Sequence, residues 1–200
     1  MCNNKILIIF KGVNNMKNAL VVNLFGGPGC GKSTTMARLF ADLKTRGLNV
    51  EMVSEFAKDL VYEQRQETMK DELYIFAKQH HRMFRVNDKV DIIITDRPLL
   101  LTNIYASLYL PDDMFRKDLI NLVRTTFNNF ENYNILLNRN GIEYKTEGRL
   151  QNLEQSKEID EMTLKELVLA RQSYSMIQTN NYDMILESVL ARINMMSYED

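Results

Sequence analysis

Two hundred residues, 45% hydrophobic and 26% charged, suit one globular domain long enough to close a core around a sheet. A net charge of −1 excludes a globally basic nucleic-acid binder, though not a local basic groove, because steering depends on where charge sits. Cys2 and Cys30 are too few for a disulfide framework or a cysteine zinc site, so a reducing cytoplasm is the expected setting.

The chain opens with Lys5 and the apolar run Ile6-Leu7-Ile8-Ile9-Phe10. That run is too short for a secretory core or a membrane span, so no membrane partner is expected. Lys11-Gly12-Val13 can be encoded as AAA-GGA-GTN, a ribosome-binding sequence a few bases before Met16. The expectation is a native start at Met16, an extension over 1–15, and a single domain over 16–200.

Short apolar runs at 19–25, 49–53, 91–95, 133–137 and 182–186 read as strands. Longer helical patterns cover 32–46, 70–87, 99–109, 113–129, 153–177 and 189–195. Such alternation predicts an α/β fold with a parallel sheet buried under helices on both faces. Gly47 ends the first helix, since the left-handed position after a helix favours glycine. The segment 139–151 breaks the alternation: it is polar, carries Gly141 and Gly148, and holds Arg139, Lys145 and Arg149. A loop of this kind reads as a functional lid.

The first strand runs into Gly26-Gly27-Pro28-Gly29-Cys30-Gly31-Lys32-Ser33-Thr34. Gly26-x-x-x-x-Gly31-Lys32-Ser33 between strand and helix is the P-loop pattern, in which glycines let backbone N–H groups turn toward phosphate oxygens. The helix N-terminus adds partial positive charge. Lys32 is expected on the β- and γ-phosphates of ATP, and Ser33 on Mg²⁺.

The third strand ends in Asp96, which lies beside the P-loop in such folds and can also hold Mg²⁺. An ATPase of the AAA+ type would follow this acid with glutamate to activate water; here Arg97 and Pro98 follow. No Asn-Lys-x-Asp guanine motif occurs. Both absences favour phosphoryl transfer to an acceptor over hydrolysis. The second strand closes on Glu55, a candidate base for an acceptor hydroxyl. Asp96 is the other candidate, and Ser54 or Glu55 could instead simply cap a helix beginning at Phe56.

Lys78, Arg82, Arg85 and Lys89 recur at i, i+4, i+7 and i+11, a basic stripe opposite Leu73, Phe76, Ala77, His80 and Phe84. The stripe can be a solvated face or, with Lys78, Arg82 and Arg85, a contact for a polyanionic acceptor such as DNA. His80 and His81 point about 100° apart on a helix and cannot chelate one ion well. Tyr62, Tyr74 and Tyr105 could stack on a base, although packing is the commoner use.

The P-loop, Ser54-Glu55-Phe56-Ala57 and Asp96-Arg97 together resemble the thymidylate-kinase-like P-loop kinases. These include nucleoside, nucleotide and nicotinamide riboside kinases. Glu55-Phe56-Ala57-Lys58-Asp59-Leu60-Val61, Tyr74-Ile75-Phe76-Ala77-Lys78-Gln79-His80-His81-Arg82 and Thr95-Asp96-Arg97-Pro98-Leu99-Leu100-Leu101 resemble phage-encoded members. Among these are the 5-hydroxymethyldeoxyuridine DNA kinases, which phosphorylate the hydroxymethyl group of the base within DNA on the way to hypermodified thymidine. The resemblance spans about residues 19–170. It implies a three-layer fold with a five-stranded parallel sheet in the order 2-3-1-4-5, and a setting in the host cytoplasm for a phage product. It also implies that Arg97 orients the acceptor or its phosphate, and that Arg139 and Arg149 act as lid arginines. Pro98 stands where thymidylate kinases carry an aromatic residue and deoxynucleoside kinases a serine. On the resemblance and the basic stripe, the favoured acceptor is the hydroxymethyl group of 5-hydroxymethyldeoxyuridine in phage DNA. A free nucleoside or nucleoside monophosphate and nicotinamide riboside are the alternatives, and a P-loop ATPase switch is the reading from another class.

Overall fold

β1 (Leu20–Phe25) is buried at every position because it lies at the centre of the sheet, with helices over both faces. The computed structural model describes residues 18–65, 67–139 and 151–196. The expected extension at 1–15, and 140–150 of the expected lid with Arg149, lie outside the described residues. β1 pairs in parallel with β3 (Ile92–Thr95) on one side and β4 (Glu131–Asn138) on the other; β2 (Val50–Val53) flanks β3, and β5 (Ser175–Gln178) flanks β4. The order is therefore β2-β3-β1-β4-β5, as the resemblance implied.

The helices divide between the two faces. α1 (Lys32–Thr45) and α7 (Tyr182–Met196) cover Leu20, Val22, Ile92, Ile94 and Ile135. α3 (Glu72–Phe84), α4 (Leu101–Tyr109), α5 (Met114–Phe127) and α6 (Leu153–Leu169) cover Val21, Phe25, Ile93 and Leu136. Alternate residues of one strand thus feed two cores. A short α2 (Ala57–Tyr62) and a 3₁₀ turn at Thr68–Lys70 bridge β2 to α3. Asp71, Asp113 and Asn152 cap α3, α5 and α6 by accepting backbone N–H bonds, and Gln155 completes a capping box at α6.

Two expected elements differ. The fifth strand is Ser175–Gln178, and 182–186 belongs to α7. Tyr182, Ile185, Val189 and Ile193 are buried together, a helical spacing that a short window hides. The long helix expected at 153–177 stops at Leu169, with Ala170 as C-cap and Arg171 in the left-handed region at φ 55°. Arginine occupies the position where glycine would normally announce the stop.

Candidate active site

β1 and β3 carry the catalytic candidates to the same edge of the sheet, because parallel strands end together. Asn23 and Val53 both register with Thr95, so the P-loop, the residues after β2, and Asp96-Arg97 converge. Gly26, Gly29 and Gly31 adopt φ of 136°, 77° and 90°, a region closed to most side chains. Gly31 offers no side chain to cap α1, and the first turn of that helix has no acid. Its free N–H groups and dipole therefore suit an anion. Lys32 Nζ donates to the carbonyls of Gly26 (2.7 Å) and Gly27 (2.9 Å), which holds the ammonium across the loop.

Behind the loop, the N–H of Gly27 donates to Asp160 Oδ1 at 2.5 Å. Arg139, at the end of β4, donates Nε to Asp160 Oδ2 (2.5 Å), Nη1 to the Pro28 carbonyl (3.2 Å) and Nη2 to the Ser156 carbonyl (3.1 Å). One guanidinium thus ties β4, the P-loop and α6 into a single brace. α6 is itself held to its neighbours: Glu166 takes a two-pronged bond from Arg124 (2.9 and 2.8 Å) and a third from Asn103 (2.7 Å).

On the open side, Ser33 Oγ donates to Asp96 Oδ2 at 2.7 Å, while Asp96 Oδ1 accepts the Glu55 N–H at 3.0 Å. The hydroxyl and carboxylate form an all-oxygen pair at the phosphate loop, a donor set suited to Mg²⁺ with waters and phosphates completing its shell. Arg97 is buried, with Nη1 at 3.3 Å from Glu55, Nη2 at 3.8 Å from Glu72, and the Tyr105 ring 4.3 Å from its guanidinium. Burial works against its charge, but Glu55, Tyr105 and Glu72 more than compensate and raise its pKa. Burial also pushes Glu72 up to about 7, against the opposing pull of Arg97. The Tyr105 hydroxyl is pushed up by burial too. These groups share a cleft of about 390 Å³ running from the P-loop past Glu55, Asp96 and Arg97 to walls that include Val61, Met69, Ile75, Leu101 and Tyr105.

A family model described as the AAA domain matches residues 21–184. The chain belongs to the AAA-domain family. No curated protein matches the sequence. Among solved structures, NadR in complex with NR is similar at TM-score 0.65 and 21% identity, over 86% of this chain and 50% of NadR. NadR in complex with NAD and AMP-PNP is similar at TM-score 0.57 and 18% identity, over 86% and 48%. YorR from Bacillus subtilis, in complex with phosphorylated GDP, is similar at TM-score 0.53 and 17% identity, over 89% and 98%. At these identities the likeness is one of fold. The chain spans about half the length of the NadR chains.

In this AAA-domain chain the cleft gathers Pro28, Gly29, Gly31, Lys32, Ser33, Thr34, Glu55, Asp96 and Arg97, with Cys30 buried beneath the loop. Lys78, Arg82 and Arg85 do not line it. α3 ends at Phe84, so Lys89 lies past the helix and donates to the Arg85 carbonyl. Arg82 pairs with Asp59 and lies over the Phe56 ring. The expected apolar stripe of α3 is also rotated: Leu73 and Phe84 are exposed, and Glu72, Ile75, Phe76, Gln79 and Met83 face inward. His80 stacks among Phe76, Phe84 and Phe130, where burial, then His81, lower its pKa.

Sequence reasoning missed Glu72, Gln79 and Asp160. Gln79 accepts the Phe56 N–H at 3.0 Å and so sets the start of α2. A polar residue in phase with Ile75 and Met83 was the available signal for Glu72 and Gln79. Nothing local marks Asp160, whose role comes from a partner 133 positions away. No helix among the described residues is long and apolar enough to cross a membrane.

Proposed function

We propose that the chain is an ATP- and Mg²⁺-dependent kinase that phosphorylates a hydroxyl of a nucleoside-like acceptor. One observation carries the reading: a phosphate loop with Lys32, Ser33 and Asp96 opens into the same cleft as Glu55 and Arg97. The likeness to NadR, solved with NR and with NAD and AMP-PNP, supports it.

When bound, ATP supplies the γ-phosphoryl group, which bonds to the acceptor oxygen as its bond to the β-phosphate oxygen breaks and ADP leaves; Mg²⁺ offsets the phosphate charge. Lys32 and the first-turn N–H groups of α1 would bind the phosphates. Ser33 and Asp96 would hold the metal. Both oxygens of Asp96 are engaged, by Ser33 and by the Glu55 N–H, which favours Glu55 as the group that takes the acceptor proton. Arg97 would fix the Glu55 carboxylate through their ion pair. Arg149 remains a candidate to cover the transferring group. The residue after Asp96 is Arg97 rather than an acid, which favours an acceptor other than water.

Transfer from γ-labelled ATP should discriminate among acceptors: free nucleosides, their monophosphates, nicotinamide riboside, and DNA carrying 5-hydroxymethyluracil. Label is expected on a nucleoside-type hydroxyl. Glu55→Gln should lower kcat by roughly a hundredfold or more with ATP affinity retained, and Lys32→Ala should abolish turnover. ATP hydrolysis that no acceptor accelerates would overturn the kinase reading in favour of an ATPase switch. The exposed cations Lys78, Arg85 and Lys89 keep DNA in the panel as a second acceptor. Its binding would weaken steeply with salt.

A further inference from the structure

Glu72 opens α3 and is only 2% exposed, yet it borders the cleft. Buried carboxyl oxygens are nearly always hydrogen-bonded. Among the described residues the Oε2 of Glu72 has no hydrogen-bond partner, and its ion-pair partner Arg97 Nη2 stands at 3.8 Å, beyond hydrogen-bond range. Arg97 is divided, because its other terminal nitrogen serves Glu55 at 3.3 Å. Two carboxyls therefore share one guanidinium at the floor, beneath apolar and aromatic walls at Ile75, Leu101 and Tyr105. Such a floor offers acceptors of hydrogen bonds and little uncompensated positive charge. A phosphate brought there would meet Glu55 and Glu72 with the guanidinium already engaged. An uncharged ring bearing an O–H or N–H donor would meet apolar walls and the Glu72 carboxyl that borders the cleft.

We infer that Glu72 is the specificity-determining residue of the acceptor site: its carboxyl receives an O–H or N–H donor of an uncharged nucleoside, and with Glu55 it turns away acceptors that already carry a phosphate. The inference rests on the kinase reading and narrows it to the first phosphorylation of a nucleoside. The reaction that consumes its product must then act on a phosphorylated nucleoside.

The test uses the full chain, γ-labelled ATP, and adenosine, guanosine, uridine, thymidine, 5-hydroxymethyl-2′-deoxyuridine and nicotinamide riboside, each beside its 5′-monophosphate. The favoured nucleoside should exceed its monophosphate at least a hundredfold in kcat/KM. Glu72→Met fills the same space without an acceptor oxygen, and should raise the nucleoside KM tenfold or more, with kcat and ATP affinity within twofold. Glu72→Gln keeps a carbonyl oxygen but loses the charge, so it should hold the nucleoside KM within threefold of the parent while narrowing the preference over the monophosphate. Thermal melts establish that both variants are folded. Preference for monophosphates, an unchanged KM in Glu72→Met, or equal losses in Met and Gln variants would overturn the inference while leaving the kinase standing. Hydrolysis with no labelled acceptor would instead remove the kinase reading beneath it.

Discussion

At the scale of single residues, the phosphate loop is constrained from behind as closely as from in front. Gly27 is not one of the three loop glycines with positive φ, and its need for glycine is spatial. A Cβ there would come within 3.0 Å of Arg139 Nη2, Asp160 Oδ1 and the Ser156 carbonyl. The carbonyl belongs to the backbone of α6 and cannot swing aside. Gly27→Ala should therefore push the loop toward the cleft and weaken ATP binding about tenfold or more, roughly 1.4 kcal/mol, as read by calorimetric titration. Gly47 supplies the control: its Cβ would meet nothing within 4 Å, although its φ of 83° is strained for alanine. Gly47→Ala should cost roughly 1 kcal/mol of stability and leave ATP affinity unchanged. Equal ATP affinity in Gly27→Ala and the parent would remove the steric account.

At the scale of elements, α6 acts as a backstop for the P-loop. Its capping box fixes where the helix begins, Asp160 reaches the loop amide, and Glu166 fastens the far end to α4 and α5. Arg139 completes this contact, so two roles for it can be separated by kinetics. A brace that shapes the loop acts on nucleotide binding, whereas an arginine placed over the transferring group acts on the chemical step. The bonds to Pro28, Ser156 and Asp160 favour the brace. Arg139→Ala should raise the Kd for ATP about tenfold with the acceptor KM unchanged. A fall in kcat at constant ATP affinity would instead assign Arg139 to the transferring phosphoryl group.

At the scale of the whole molecule, the cleft stores a buried acid. The Glu72 carboxyl rises from 4.5 to about 7, chiefly through burial. The folded protein therefore retains a proton between those values that the unfolded chain releases. This contribution to stability is fully present below pH 4.5 and is lost as pH rises through 7. Glu72→Gln removes the dependence. Urea unfolding at pH 5 and pH 8 should show the variant gaining on the parent by up to about 3 kcal/mol across the interval. Parallel stability profiles would show that the side chain ionises freely in the fold.

The local sequence determined those parts of the protein whose physics is local. The P-loop is legible because glycine freedom, a helix N-terminus and a lysine must be contiguous to cradle phosphate, and Gly26 to Ser33 are. Asp96 and Glu55 are legible because parallel strands deliver their ends to one edge, so a polar residue after an apolar run reaches the cleft. The end of α6 was not legible, because Arg171 takes a left-handed conformation that no neighbouring glycine announces. The fifth strand was not legible either, because Ser175–Gln178 gains its identity from pairing with β4 and buries little beyond Ile177. Tertiary structure alone decided that Asp160 meets Gly27, that Arg139 faces the back of the loop, and that Glu72 and Glu55 share Arg97. Those contacts join residues 25 to 133 positions apart, and neither helical nor strand periodicity carries information over such distances. The phosphate-binding half of the cleft thus follows from one continuous segment, whereas the half that would choose an acceptor exists only once α2, α3 and α4 have packed around Arg97.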